Sequence, residues 1–471
     1  MVNTEYDVLI VGGGLVGASM ALALAPLSAN RTNSVNNRTT DTSQALRIAV
    51  VEAMQFNLPK SPTGVSPTDI DKDKPPTASA YDDRSIALAY GSRLIYQGMA
   101  IWSSLEQHAA AIQHIHVSDR GFFGAARLHA SQENVPDLGY VVQSRTLGQT
   151  LLKRLENTHI EWLQAKVTDV KQTSDHVQLS LDNGTKVGCR LVIAADGTQS
   201  SIRDLVNMGT EQRDYAQTAV IANVSTDQAS NAWAYERFTQ HGPIALLPMT
   251  APMAAPSDNT AKTQRWSLVW THPPENIEAL KGLSDQAFLK RLQQAFGYRA
   301  GRFVRVGRRA YYPLSLVRAQ QDVQGRVVVI GNASHTLHPV AGQGLNLALR
   351  DVAMLAELIA DYYTTQPENW SQQTAISHLL DDYISQRQPD YRRVIHYTDG
   401  LVRGFSNEIV GLGHLRALGL ISVDRVPLLR RVLAEQSMGL KHRQARLSRG
   451  LSLLPAAARA MNTATHNITN P

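Results

Sequence analysis

The residues best suited to chemistry in this chain form the run Gly331-Asn332-Ala333-Ser334-His335-Thr336-Leu337-His338-Pro339-Val340-Ala341-Gly342-Gln343-Gly344-Leu345-Asn346. Glycines at 342 and 344 let backbone amides approach a ligand closely, because no Cβ stands in the way. Leu347 to Leu355 carries the apolar period of a helix. A helix starting here directs unpaired N–H groups, and about half a positive charge, at whatever lies in front of it. An electron-rich, partly anionic ring would be stabilised there, as a phosphate is at other helix starts. The same residues also describe a plain glycine turn between the strand-like Arg326–Ile330 and a helix.

Other segments supply elements that could position such a site. Tyr6–Val11 reads as a buried strand and Leu15–Leu27 as the helix after it, with Gly-x-Gly-x-x-Gly at Gly12, Gly14 and Gly17 between them. Gly12 would make the turn, Gly14 would admit a pyrophosphate to the helix N-terminus, and Gly17 would let the helix pack close to the strand. A second strand, Leu46–Val51, ends in an acid, Glu52, able to accept hydrogen bonds from a ribose. That acid falls about 35 residues after Gly17 instead of the usual ~20, and the polar tract Asn30–Gln44 accounts for the excess as a loop. Leu191–Arg203 is a buried strand ending in Asp196-Gly197, then a helix cap; Asp-Gly after a strand can be only a turn. Asp83-Arg84 can be only an ion pair at a helix start.

Bulk properties narrow the field. At 471 residues two to three domains are expected. A single cysteine, Cys189, excludes an internal disulfide and a cysteine metal cluster, suits a reducing cytosol, and reads as a packed core thiol. The net charge of +6 is compatible with a peripheral encounter with anionic lipid or an acidic partner. Basic residues are scattered without interleaved aromatics, which does not suit nucleic-acid binding. Val8–Ala29 has no charged side chain, but three glycines interrupt it and acids precede it, which argues against a signal peptide or anchor. Polar tracts at 30–44, 60–79 and 251–263 read as surface loops. The blocks 115–130 and 218–270 alternate like strands of one antiparallel sheet. After Ser377 the pattern is helical, with a basic stretch through Arg430, Arg431, Lys441, His442, Arg443 and Arg446. The histidines show no metal-ligand spacing, so no metal is expected.

Taken together, Gly12–Gly17, Arg84 in its Arg-x-x-Ala-Leu setting, the Asp196-Gly197 string and His338-Pro339 through Asn346 resemble the flavin-dependent aromatic hydroxylases. With Ala219–Val224, Glu236–Met249 and Ser267–Trp270, the chain is similar to the branch serving ubiquinone biosynthesis. The resemblance implies an α/β fold: a Rossmann-like FAD-binding domain, an antiparallel β-sheet substrate domain and a helical C-terminal part. The divisions expected are 1–110, 141–210 and 311–370 for the FAD domain, 111–140 and 211–310 for the sheet domain, and 371–471 for the helices. It implies FAD as cofactor and NAD(P)H as co-substrate. Arg84 would lie near the flavin phosphates, Asp196 would hold cofactor-side hydrogen bonds with Arg203 in support, and Pro339 would pack beside the ring. Gly342, Gln343 and Gly344 would shape the ring site, and Gly331, Leu345 and Asn346 belong to the same flavin motif. Gln143, on the Val141–Gln143 strand-to-helix turn, is a further candidate contact. One position departs from the family: Asn332 stands where many members have an aspartate toward the flavin ribityl chain. Asparagine keeps an acceptor and adds donors, but the charge is gone.

The activity implied is O2- and NAD(P)H-dependent hydroxylation of a polyprenylated methoxyphenol para to the phenol oxygen. The flavin would carry the hard chemistry, so no nucleophile or acid–base pair is required. A cytoplasmic protein meeting the inner face of the membrane, or partners in a ubiquinone-biosynthesis complex, follows from so hydrophobic a substrate. Two readings stay open beside it: hydroxylation at another ring position, and a non-catalytic flavoprotein scaffold, motivated by Asn332.

Overall fold

From Val8 to Val11 every side chain of the N-terminal strand is buried, so both faces of this strand are covered. Val8 and Ile10 join one hydrophobic cluster while Leu9 and Val11 join another, as alternating side chains must. In the computed structural model the residues described are 4–28, 45–54, 84–229, 231–250, 263–336, 342–365, 370, 372–405, 412–441 and 445–454. The polar tracts 30–44 and 60–79, and 251–262 of the third, lie outside them.

The N-terminal strand Thr4–Val11 sits within a sheet ordered Val323–Gln324, Val327–Val329, Lys186–Ala194, Thr4–Val11, Ile48–Glu52, Glu161–Gln164. All neighbours after the first pair run parallel. Helices Leu15–Ser28, Ser144–Leu155 and Gln343–Thr365 cover one face. An antiparallel pair, Val167–Gln172 with Val177–Leu181, and the short helix Ser201–Leu205 cover the other. Cys189 lies within Lys186–Ala194, and burial pushes its thiol far above the ordinary cysteine range. Val51, Val11, Ala194 and Val329 stand side by side in register. Four strands therefore end along one edge of the sheet, at Glu52 and just before Gly12, Ala195 and Ile330.

The two expected β-rich blocks do share one sheet. Its order is His335–Thr336, Ala310–Ala319, Thr210–Thr226, Gln264–His272, Ile244–Met249, Trp233–Phe238, His114–Asp119, Ala125–His129. The join between the blocks, Trp233–Phe238 with His114–Asp119, is parallel; the other pairings are antiparallel. Val220, Leu246, Leu268 and Trp270 pack one face onto Phe288 and Leu292 of helix Asp285–Phe296. Period 2 then turns Ala219, Ile221, Leu247 and Val269 to the opposite face. A three-stranded sheet, Ser85–Ala89, Gly139–Gln143 and Ala110–Ile112, lies beside it. Arg84 thus precedes a strand and not a helix, because Ser85–Ala89 finds a partner in Gly139–Gln143. The C-terminal helices are Gln373–Phe405, Leu412–Arg425 and Pro427–Ser437. Arg416–Asp119 at 2.9 Å and Arg127–Asp424 at 2.8 Å tie helix Leu412–Arg425 to the second sheet.

Candidate active site

Steric need separates the glycines of the first turn. Gly12 has φ +98°, and a Cβ there would meet the Ala195 carbonyl oxygen at 2.6 Å. A Cβ on Gly17 would run into the carbonyl oxygen of Gly12. Gly14 is different: nothing lies within 4 Å of its Cβ position. The first two keep the turn closed, and Gly14 leaves free space at the start of helix Leu15–Ser28. Glu52 borders it, accepting from the Gly13 N–H at 2.5 Å and the Met54 N–H at 2.8 Å.

At the next strand end, one Asp196 oxygen caps helix Ser201–Leu205, accepting from Ser201 Oγ at 3.2 Å and the Ile202 N–H at 3.1 Å. Its other oxygen, Oδ1, is enclosed without a partner among the described residues. The buried Arg203 guanidinium donates to the carbonyls of Ala333 and Thr198, each at 3.0 Å. It joins the Asp196 loop to the Gly331–Ala333 turn. Gly331 has φ +60°, and its N–H donates to Asp351 Oδ2 at 3.4 Å. Asn332 is exposed on the wall of a cavity.

The Gly342–Asn346 segment repeats the division of labour. Gly342 has φ +58° and abuts the Ala87 side chain, whereas the Cβ position of Gly344 is open for 4 Å. Gln343, Gly344 and Leu345 line the same cavity as Asn332. Asn346 has a bracing part: its Oδ1 accepts from the Ala89 N–H and Ser92 Oγ, and its Nδ2 donates to the carbonyls of Ala87 and Gly342. Its amide is fully occupied by protein, so it pins Ser85–Ala89 to the glycine turn. Arg84 and Gln143 meet at one corner, since Ser85 pairs with Gln143 and the Ser144 N–H donates to the Arg84 carbonyl at 2.8 Å. The Arg84 guanidinium lies 5.3 Å from the centre of the Tyr312 ring. Pro339 lies outside the described residues, as does His338. His335 is buried; desolvation leads the causes that take its imidazole down to about 4. Among the described residues no group of three His, Cys, Asp or Glu could hold a metal.

The cavity has a volume of about 910 Å³, near the top of the range for small-molecule sites. Gly342–Asn346 and Ser85–Ala89 form one wall, the outward face of the second sheet another, and Gly419, Leu420, Val423 and Leu433 of the C-terminal helices a third. Sequence reasoning missed one polar group in it. Glu236 lines the cavity, its Oε1 is enclosed without a partner, and burial pushes its carboxyl up to about 7. The signal was present: Ala234 and Phe238 share its face of the strand, so an acid there interrupts an apolar row. Open backbone at Gly14 beside Glu52, an unpartnered acceptor at Asp196 Oδ1 and the open front of Gly344 on the cavity wall are thus the described places where a ligand could be met.

The family described as FAD binding domain matches residues 61–398. Ubiquinone hydroxylase UbiL of Rhodospirillum rubrum is 33% identical over 95% of this chain and 93% of its own. The chain belongs to the flavin monooxygenases of ubiquinone biosynthesis. The 3-demethoxyubiquinol 3-hydroxylase of Escherichia coli is 27% identical, covering 93% of this chain and 100% of the relative. Among solved structures, p-nitrophenol 4-monooxygenase PnpA of Pseudomonas putida superposes with a TM-score of 0.67 at 17% identity, over 94% of this chain and 100% of that one, which shows the fold. This flavin monooxygenase is an FAD-dependent aromatic hydroxylase, with the aromatic-hydroxylase fold expected from its motifs.

Proposed function

We propose that this monooxygenase uses NAD(P)H and O2 to hydroxylate a polyprenylated methoxyphenol para to its phenol oxygen during ubiquinone assembly. The observation that carries the reading is the apolar cavity between the Gly342–Asn346 wall and the sheet face, large enough for a substituted ring. Bound FAD supplies the oxygen activation; the chain binds, orients and excludes water. The Gly344 front, at the start of a 23-residue helix, favours negative charge on a bound ring. The relatives' names support a ubiquinone-pathway phenol as substrate. The E. coli name motivates the second reading, hydroxylation at another ring carbon.

The tail fits the C-terminal helices. Leu420, Val423 and Leu433 face the cavity, while Leu415, Leu418, Leu428, Leu429 and Val432 are exposed outward, with Arg425 and Arg431 among them. An apolar face set with arginines suits an anionic membrane surface. No helix among the described residues is long and apolar enough to cross a membrane, so the contact proposed is peripheral; a partner enzyme of the pathway would use the same face.

The test is substrate-stimulated NAD(P)H oxidation by FAD-loaded protein with 2-polyprenyl-6-methoxyphenol, followed by product analysis. Hydroxylation para to the phenol oxygen is expected. Oxygen at a different carbon defeats the ring position, and the absence of both turnover and product defeats the substrate and favours a scaffold. For the flavin site, Gly344→Val places a branched side chain in the open space and is expected to weaken FAD binding more than tenfold, about 1.4 kcal/mol or more. Unchanged flavin spectra on dialysis would contradict the assignment.

A further inference from the structure

Five residues stand directly opposite one another across the second sheet: Val117, Glu236, Ala245, Val269 and Ile221. All five line the cavity. Such a cross-strand row is the unit by which a sheet face is packed, and four of its members are apolar. The fifth is a carboxylate. Burying a carboxylate without a partner is costly, and valine at this position would complete the row at no such cost.

Among the described residues no neighbour offsets that cost at one of its two oxygens: Oε1 of Glu236 is enclosed and has no hydrogen-bond partner there. Burial is the one cause that moves its carboxyl, up to about 7, and neither a charge nor a hydrogen bond contributes. The other ionisable groups on the described cavity wall are Arg84, Tyr235, Tyr312 and Arg416. Arg416 is held by Asp119 at 2.9 Å, and Arg84 lies against the Tyr312 ring. Arginines stay protonated, and burial raises Tyr235 further above its ordinary value. Glu236 is therefore the one described wall residue able to accept a proton near neutrality.

We infer that Glu236 is the catalytic base that removes the phenolic proton of the substrate. This rests on the phenol-hydroxylase reading above. The phenol O–H bond breaks, the proton passes to the Glu236 carboxylate, and the electron pair stays on the phenolate oxygen. That pair is delocalised to the ring carbons ortho and para to it, which makes them better nucleophiles toward an electrophilic oxygen. When the hydroxylated ring regains aromaticity it releases one proton from the attacked carbon to the second oxygen atom of O2, which leaves as water, and the protonated Glu236 returns its own to the phenolate. The carboxylate ends as it began. O2 and NAD(P)H, already required by the reaction, supply the oxidant and the electrons. A base with a pKa near the working pH is the efficient choice for this step.

The experiment compares wild type, Glu236→Gln and Glu236→Asp as FAD-loaded full-length protein, each checked by its flavin spectrum. In wild type, kcat/KM should rise with pH through an acid limb near 7. Glu236→Gln should lose that limb and fall roughly 10²–10⁴-fold in kcat, the usual contribution of a general base, with FAD retained. Glu236→Asp should keep the limb at a reduced rate. A glutamine variant with wild-type turnover and an intact limb overturns the inference. A second arm needs no turnover: 4-nitrophenol, whose neutral and ionised forms absorb differently, is bound at pH 7. Wild type should show the ionised band and Glu236→Gln the neutral one; equal bands, or a stronger ionised band in the variant, overturn it. If wild type hydroxylates no phenol, the functional reading fails and the nitrophenol arm decides Glu236 by itself; no turnover and no nitrophenol binding defeats both.

Discussion

Buried charge is handled in two opposite ways in this molecule. Under the Gly331–Ala333 turn, Arg387 bonds Asp351 and Asp390, each at 2.6 Å, and Arg350 bonds Asp390 at 2.8 Å, all four side chains less than 10% exposed. Two positive and two negative charges close on themselves. Burial alone would raise Asp390, but the guanidiniums of Arg350 and Arg387 overcome it and hold the carboxyl at about 2. On the sheet wall of the cavity, Glu236 has no such company and rises to about 7. The first arrangement is a foundation: Asp351 also receives the Gly331 N–H, and Arg387 reaches the Leu347 carbonyl at 3.4 Å. The second makes sense where a ligand completes it. Pairing marks charge used for structure, and its absence in a cavity marks charge kept for a ligand.

Removing one member of the paired cluster should have the largest effect. Arg387→Met leaves two buried carboxylates short of a cation and takes a donor from Leu347. A loss of about 3–5 kcal/mol is expected, read by urea unfolding, together with weaker FAD retention as the Gly331 turn loosens. A loss below about 1 kcal/mol would mean that the cluster is not a foundation, and the contrast with Glu236 would collapse.

Glu236→Gln should move stability the other way, and only at the right pH. A carboxyl raised from 4.5 to about 7 makes the folded state hold its proton more tightly than the unfolded state. Stability therefore falls as pH rises from 4.5 through 7, by about 3 kcal/mol at 1.36 kcal/mol per unit. The glutamine variant lacks that penalty, so wild type and variant should match near pH 4 and the variant should be the more stable at pH 8. Asp390 has the opposite sign: its carboxyl is depressed from 3.8, so its contribution is present above 3.8 and lost as pH falls through 2. Thermal unfolding followed from below pH 2 up to pH 8 separates the two limbs. A variant no more stable than wild type at pH 8 would show that Glu236 has a partner in solution.

The difference between the two regions also explains what could be read from the chain. The parallel strands, the helices behind them and the Gly12–Gly17 turn were legible because each depends on residues close in sequence, and the glycine spacing follows from one tight turn. Asn346 belongs to the expected flavin motif, and the structure adds a second part for it: its amide binds Ala87, Ala89, Ser92 and Gly342, three of them over 250 residues away. No local pattern reveals such a brace. Helix Gln373–Phe405 was legible as helix, but not as the carrier of Arg387 and Asp390, because burial of a charged helical face depends on what packs there. Glu236 is the intermediate case: it interrupts the apolar row of Ala234 and Phe238, but an acid on an alternating strand reads as facing water until the other side of the cavity is in place.

Asn332 completes the comparison, being polar and exposed on the cavity wall. Replacing it by aspartate supplies the charge that the resemblance to the flavin hydroxylases implies at this position. Because the position is open, Asn332→Asp should change stability by no more than about 0.5 kcal/mol. A carboxylate accepts hydrogen bonds from hydroxyls more strongly than an amide does, so FAD affinity should stay equal or rise, by tenfold at most, about 1.4 kcal/mol. Flavin fluorescence titration and NAD(P)H turnover read both quantities. If asparagine marks a site that has lost its chemistry, turnover absent in wild type would emerge in the variant. If the variant instead releases FAD, the amide donors of Asn332 are themselves part of the flavin site, and an exposed polar group on this wall then matters as much as a buried one.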